Sequence, residues 1–189
     1  MTSSKMIDEQ GWYSKARRVE SPFFDQRSEP QDISLLVVHN ISLPPGQFGG
    51  PYIEQFFTGK LDPEQHPFFK VIHQMSVSAH CLIRRDGEVV QFVPFTARAW
   101  HAGKSSFAGR EKCNDYSIGI ELEGSDFVAY TDAQYQALTE LTQQIQHEYP
   151  LITLPRITGH QYIAPLRKTD PGLVFDWARF RNGLRSIDS

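Results

Sequence analysis

Hydrophobic positions in this chain fall into short runs divided by polar stretches marked with Gly and Pro, and the runs alternate between strand and helix periods. Within residues 34–39, Leu35-Leu36-Val37-Val38 is a continuous apolar run, as in a strand buried on both faces; His39 and Asn40 come where it ends. Residues 49–59 predict a short helix, with Pro51 in its first turn, Gly59 as its cap, and Ile53, Phe56 and Phe57 as the buried face. Residues 79–93 predict a hairpin: Cys81-Leu82-Ile83 and Val89 to Val93 are joined through Asp86-Gly87. Residues 117–123 alternate, with Ile118, Ile120 and Leu122 on one face and Gly119, Glu121 and Glu123 on the other. Thr131 and Gln134 form a capping box ahead of Tyr135, Leu138, Leu141, Thr142 and Ile145 at helical spacing, which stops by Pro150. A short strand around Ile157 follows, and Asp176 caps a last helix with Trp177, Phe180 and Leu184 on one face. Between these elements, residues 61–73 and 98–114 read as loops, and residues 1–31 as a polar surface wrap with breakers at Ser21-Pro22 and Glu29-Pro30. This order predicts a single α/β domain over residues 1–189, with a central mixed sheet flanked by helices.

Composition narrows the class. The 189 residues are 40% hydrophobic and carry a formal net charge of -3, ordinary for a globular protein and unsuited to binding nucleic acid through general basicity. No apolar run approaches the roughly 20 residues that span a bilayer, and the polar N-terminus lacks the apolar core of a secretory signal. Cys81 and Cys113 form no CxxC pair and are expected to be reduced. A cytoplasmic location is the expectation, without nucleic-acid, membrane or obligate protein partners.

The chemistry concentrates in residues 159–172. His160 is followed ten residues later by Asp170, with Lys168 two places before it, and Pro165, Pro171 and Gly172 favour a loop that folds the two ligands together. A catalytic zinc takes three protein ligands and leaves a fourth position for water. His39, at the end of a buried strand, is the natural third; His80 and His101 compete with it. Glu121 is the best general base, since Gly119 on the same strand face leaves room for a ligand; Glu123 shares that face. Lys168 could present its ammonium to an oxyanion.

The segments Val38-His39-Asn40, Ser78-Ala79-His80, Ala99-Trp100-His101-Ala102-Gly103, Cys113-Asn114-Asp115, Gly119-Ile120-Glu121-Leu122-Glu123-Gly124, Lys168-Thr169-Asp170-Pro171-Gly172 and Phe175-Asp176-Trp177-Ala178-Arg179 stand in a specific order. Together they resemble the cytosolic 1,6-anhydro-N-acetylmuramoyl-L-alanine amidases of bacterial cell-wall recycling, from Gly11 to about Gly183. The resemblance implies a zinc amidase fold shared with peptidoglycan recognition proteins. It places one zinc on His39, His160 and Asp170, the base on Glu121 and the catalytic lysine on Lys168, and it demotes His80 and His101. The implied substrate is a small muropeptide, cut between the lactyl group of anhydro-N-acetylmuramic acid and L-Ala, with a link to β-lactamase induction. For a substrate carrying stem-peptide carboxylates, Arg110 or Lys112 would supply a cation. Trp100 would stack on the sugar and Asn40 would hydrogen-bond near the metal. The chain departs from the family's pattern at Gln161-Tyr162, where Cys-Asp or Ser-Asp is expected, and at Leu166, where Asp or Gly is expected, which predicts weaker support around the metal loop. A non-catalytic binding module on the same fold would lack a ligand; here the set is intact.

Overall fold

The computed structural model describes residues 5–185. In chain order the strands and helices are β1 (Arg17–Arg18), β2 (Phe24–Gln26), β3 (Leu35–Ile41), α1 (Tyr52–Phe57), α2 (Phe69–Ile72), β4 (Cys81–Ile83), β5 (Val89–Gln91), β6 (Ala97–Ala99), β7 (Ser106–Phe107), β8 (Arg110–Glu111), β9 (Ser117–Glu123), α3 (Asp132–Glu148), β10 (Ile157–Gly159), α4 (His160–Ile163) and α5 (Trp177–Arg185). Six strands form one mixed sheet in the order β1-β5-β4-β9-β3-β10. Only the β4–β5 hairpin is antiparallel within it; the other neighbours run parallel.

The long parallel strands β3 and β9 lie at the centre, and β9 is buried along its whole length. Helices cover both faces, which is why the apolar runs in β3 are continuous rather than alternating. On one face Leu36, Val38, Ile118, Ile120 and Leu122 pack under Leu138, Leu141 and Ile145 of α3 and Phe180 of α5. On the other, Leu82 and Val90 meet Ile53, Phe56 and Phe57 of α1 and Phe69 and Ile72 of α2. Leu35 and Val37 form a smaller cluster with Ala102, Cys113, Tyr116 and Ile163. Cys81 and Cys113 are free and buried.

Local signals act as the sequence predicts at several ends. Thr131 and Gln134 form both bonds of the capping box, and the Asp176 side chain accepts from the Arg179 amide at 2.9 Å. Gly87 turns the β4–β5 hairpin at φ +89°, a backbone state that L residues avoid.

Four loop expectations need correction. Residues 61–73 hold α2, whose Phe69 and Ile72 are buried against α1 and the sheet. The expected surface wrap over residues 1–31 begins outside the described residues, and its described part, 5–31, does more than wrap the surface: Ile7 and Tyr13 are buried in the main core, and β1 adds an edge strand to the sheet. The buried Arg27 guanidinium donates to the carbonyls of Phe95, Asn114, Asp115 and Ser117, stitching this segment down. Residues 98–114 include part of β6, which pairs with β2, and the small β7–β8 hairpin. Residues 159–172 contain one helical turn, α4, before the loop proper. Strands of two or three residues, whether paired at long range or in a tight hairpin, leave no periodicity to read.

Candidate metal centre and cleft

Parallel register builds the site. His39 pairs with Glu121, Glu121 with Leu82, and Gly159 with Val38, so His160 leaves β10 one step beyond its register partner beside His39. The four parallel strands bring their carboxyl ends to one edge, where ligands bind in open α/β sheets. A cleft of about 1060 Å³ opens there, with His39, Asn40, Trp100, His101, Glu121, His160, Lys168 and Asp170 in its walls.

Three ligand atoms converge at its floor. His39 Nδ1 is 3.0 Å from His160 Nδ1 and 3.2 Å from Asp170 Oδ2, and His160 Nδ1 is 3.1 Å from the same oxygen. His160 Nε2 lies 3.1 Å from the Ala102 carbonyl, which only accepts, so the proton sits on Nε2 and Nδ1 is bare. A near-equilateral triangle of this size admits one ion about 2.0–2.1 Å from all three atoms, with a fourth position left open. Two imidazole nitrogens and one carboxylate are the donor chemistry of a catalytic zinc site. Among the described residues, His39, His160 and Asp170 are the group of this kind.

The electrostatics agree. Burial holds the His39 pKa down to about 4, against the pull of the Asp170 carboxylate, which favours the charged ring, so the ring is neutral as a metal ligand must be. Burial alone would raise the Asp170 carboxyl, but its contacts with His160 and His39 prevail and keep it well below the usual carboxylate range. Glu121 moves the other way: burial first, then the nearby Asp170 charge, raises it well above its ordinary value. Its Oε1 is 3.9 Å from His39 Nδ1, and its Oε2 has no hydrogen-bond partner.

The structure gives Glu121 and His39 surroundings different from those of their competitors. Glu123 is 2% exposed and spent on structure, accepting from the Gly49 amide at 2.6 Å and the Arg85 amide at 3.2 Å; Glu121 keeps a free oxygen on the cleft. His80 is turned inward. Its Nδ1 accepts from the Gly119 amide and its Nε2 faces the Ala97 carbonyl. His101 also stays outside the triangle, with Nδ1 2.8 Å from His39 Nε2. The room above Gly119 holds the His101 ring rather than a ligand: a Cβ added to Gly119 would stand 2.4 Å from His101 Cγ.

Of the expected substrate contacts, Trp100 lines the cleft, stacked near Phe23 with its indole N–H on Asp25. Asn40 lines it too, but donates both amide hydrogens inward, to Asp126 Oδ1 at 2.8 Å and the Tyr130 hydroxyl at 3.0 Å. Arg110 and Lys112 do not line the cleft. Arg110 sits in β8 of the β7–β8 hairpin, paired with Asp32 and lying over Tyr116. The cations in the wall are Arg167 and Lys168. Sequence reasoning also missed Asp126, Tyr130 and Thr169. Asp126 accepts from Asn40 and Thr169, and the Tyr130 hydroxyl donates to the Pro171 carbonyl, tying the Asp170 loop to β3. Nothing local marks these residues. At the departures from the family's pattern, Gln161 serves through its backbone, its amide donating to the Asp170 carbonyl at 2.9 Å, while Tyr162 and Leu166 are exposed.

Comparisons with known proteins place this arrangement. Residues 29–173 match the family described as N-acetylmuramoyl-L-alanine amidase. The chain is 63% identical over 176 residues to the 1,6-anhydro-N-acetylmuramyl-L-alanine amidase AmpD of Escherichia coli K12, covering 93% of this chain and 96% of that one. It is 62% identical over 176 residues to the AmpD of Citrobacter freundii, covering 93% and 94%. A crystal structure of a selenomethionine AmpD derivative superposes with a TM-score of 0.91 at 62% identity, covering 94% of this chain and 98% of that one. The amidase AmiD of E. coli, in complex with its substrate anhydro-N-acetylmuramic acid-L-Ala-D-gamma-Glu-L-Lys, matches at TM-score 0.59 and 26% identity, covering 95% of this chain and 65% of that one. With a matching profile across its centre and full-length relatives above half identity, the chain belongs to the N-acetylmuramoyl-L-alanine amidase family.

Proposed function

We propose that this chain hydrolyses the amide bond between the lactyl group of 1,6-anhydro-N-acetylmuramic acid and the L-Ala of a stem peptide, in cytoplasmic peptidoglycan recycling, with residues 1–189 acting as one amidase domain. The observation that carries the reading is the triangle of His39 Nδ1, His160 Nδ1 and Asp170 Oδ2 beside the unpartnered Glu121 oxygen. The name and substrate class printed for relatives at 63% identity support the choice of bond. No described helix is long and apolar enough to cross a membrane.

His39, His160 and Asp170 would hold zinc, which when bound supplies Lewis-acid chemistry: it acidifies water and polarises a carbonyl. Glu121 then does the proton work. Its oxygen faces the cleft beside the triangle, and its raised pKa suits a group that must accept a proton near neutrality. It takes the proton of the attacking water as the new C–O bond forms, and returns it to the L-Ala nitrogen as the C–N bond breaks. Lys168 in the same wall offers its ammonium to the developing oxyanion. Trp100 gives a flat face for the sugar, whereas Asn40 serves by holding the loop. By consuming anhydromuropeptides, this activity would limit the signals that induce β-lactamase.

Incubating the protein with a soluble anhydromuramoyl-tripeptide, with and without a zinc chelator, tests the proposal by mass spectrometry. Chelator-sensitive release of free tripeptide is the expected result. Intact substrate recovered from a zinc-loaded protein would overturn it.

A further inference from the structure

The two histidines of the triangle turn their outer nitrogens to consecutive residues of one segment. His39 Nε2 meets His101 Nδ1 at 2.8 Å, and His160 Nε2 meets the Ala102 carbonyl at 3.1 Å. Asn114 Oδ1 holds the amides of that segment, accepting from His101 at 3.1 Å and Ala102 at 2.8 Å, while Arg167 donates to the Ala102 carbonyl at 2.7 Å. Beyond His101 the chain of contacts continues, its Nε2 lying 3.0 Å from Ser117 Oγ. Gly119 leaves the space that the His101 ring occupies.

Proton counting gives the contacts a direction. With His39 Nδ1 in the ligand triangle, the proton of that neutral ring is on Nε2. His101 Nδ1 must then accept it, which puts the His101 proton on Nε2, where Ser117 Oγ accepts. Reversing any link would place a proton on His39 Nδ1 and block the metal position. We propose that His101 is a positioning residue for the metal centre, fixing His39 in the tautomer that bares Nδ1, with Asn114 aligning His101 and Ala102 behind both histidine ligands. The inference rests on the zinc reading above and assigns these residues to its support.

Zinc affinity, measured by chelator competition on the full chain, tests it. His101→Leu removes the acceptor while filling space, and should weaken zinc binding about 10–100-fold. His101→Asn keeps an acceptor oxygen near the Nδ1 position and should recover most of that loss, a rescue that simple packing would not give. Ser117→Ala is too small a change to threaten the fold and should weaken zinc roughly fivefold, the scale of one hydrogen bond. Equal affinities in His101→Leu and wild type, or equal losses in His101→Leu and His101→Asn, would overturn the role. If His101→Leu does not fold, an unchanged affinity in Ser117→Ala overturns it instead. A wild-type chain that takes up no zinc would sink the metal reading itself, and is separable from these outcomes because it needs no variant.

Discussion

At the scale of single residues, position along the sequence and chemical role are only loosely connected. Glu121 and Glu123 are two carboxylates on one face of one strand, and the preference for Glu121 rests on the room beside Gly119, which the His101 ring in fact fills. What divides them is that the Gly49 and Arg85 amides reach Glu123, whereas Glu121 Oε2 is left without a donor. Glu121→Gln should therefore keep zinc at wild-type stoichiometry while turnover falls about 10²–10⁴-fold, the usual contribution of general base catalysis. A variant with near-normal kcat would remove Glu121 from the proton-transfer role. Leu166 poses a different residue-level question. It is fully exposed and sits at φ +66°, a backbone state that costs an L residue about 1–2 kcal/mol. Leu166→Gly relieves that strain at some cost in unfolded-chain entropy and should raise stability by about 0.5–1 kcal/mol, read as the urea midpoint. A lower midpoint would mean that the side chain contributes contacts of its own.

At the scale of elements, the long ones were legible and the short ones were not. β9 and α3 announce themselves through period and caps, because seven and seventeen residues give the pattern room to repeat. The capping box of α3 satisfies amides that otherwise lack partners, so Thr131→Ala should cost about 1 kcal/mol and lower Tm by about 2–4 °C in calorimetry. An unchanged Tm would show that the α3 N-terminus is held by packing alone. β1, β2, β6, β7 and β8 have only two or three residues each; β1, β2 and β6 exist because a distant segment offers a partner, while β7 and β8 form a hairpin too short to show a period. Arg110, which does not line the cleft, lies in one such unread element.

At the scale of the whole molecule, charge networks join segments that the apolar core leaves at its margin. Glu54 on α1 receives Arg17 from β1 at 2.6 Å and Arg84 from the β4–β5 turn at 2.8 Å. The Arg17 hydrogen bond, with Arg84 behind it, draws the Glu54 pKa below its ordinary value. A carboxylate with a depressed folded-state pKa stabilises above its unfolded pKa, about 4.3, and loses that contribution as pH falls through the lower folded value. Wild type should thus exceed Glu54→Gln in stability by about 1 kcal/mol at pH 7, discounted for solvent exposure. The gap should close below about pH 4. A gap that persists at low pH would assign the effect to packing rather than charge. Denaturant titrations of both proteins across that range would read it.

By itself the sequence determined the alternation of strands and helices, the identity of the ligand-bearing loop, and, through the order of its motifs, the family. These are properties of near neighbours along the chain: side-chain period, caps, turn residues, and donor types at fixed spacing. The ligand set and the base were expected from the sequence; only the tertiary structure decided their geometry, which glutamate keeps a free oxygen, and that His101 fills the space over Gly119. Those outcomes depend on strand register and on which buried donor finds which acceptor across separations such as the 121 residues between His39 and His160. A residue type at a position states what it is able to bind; the fold decides what remains for it to bind.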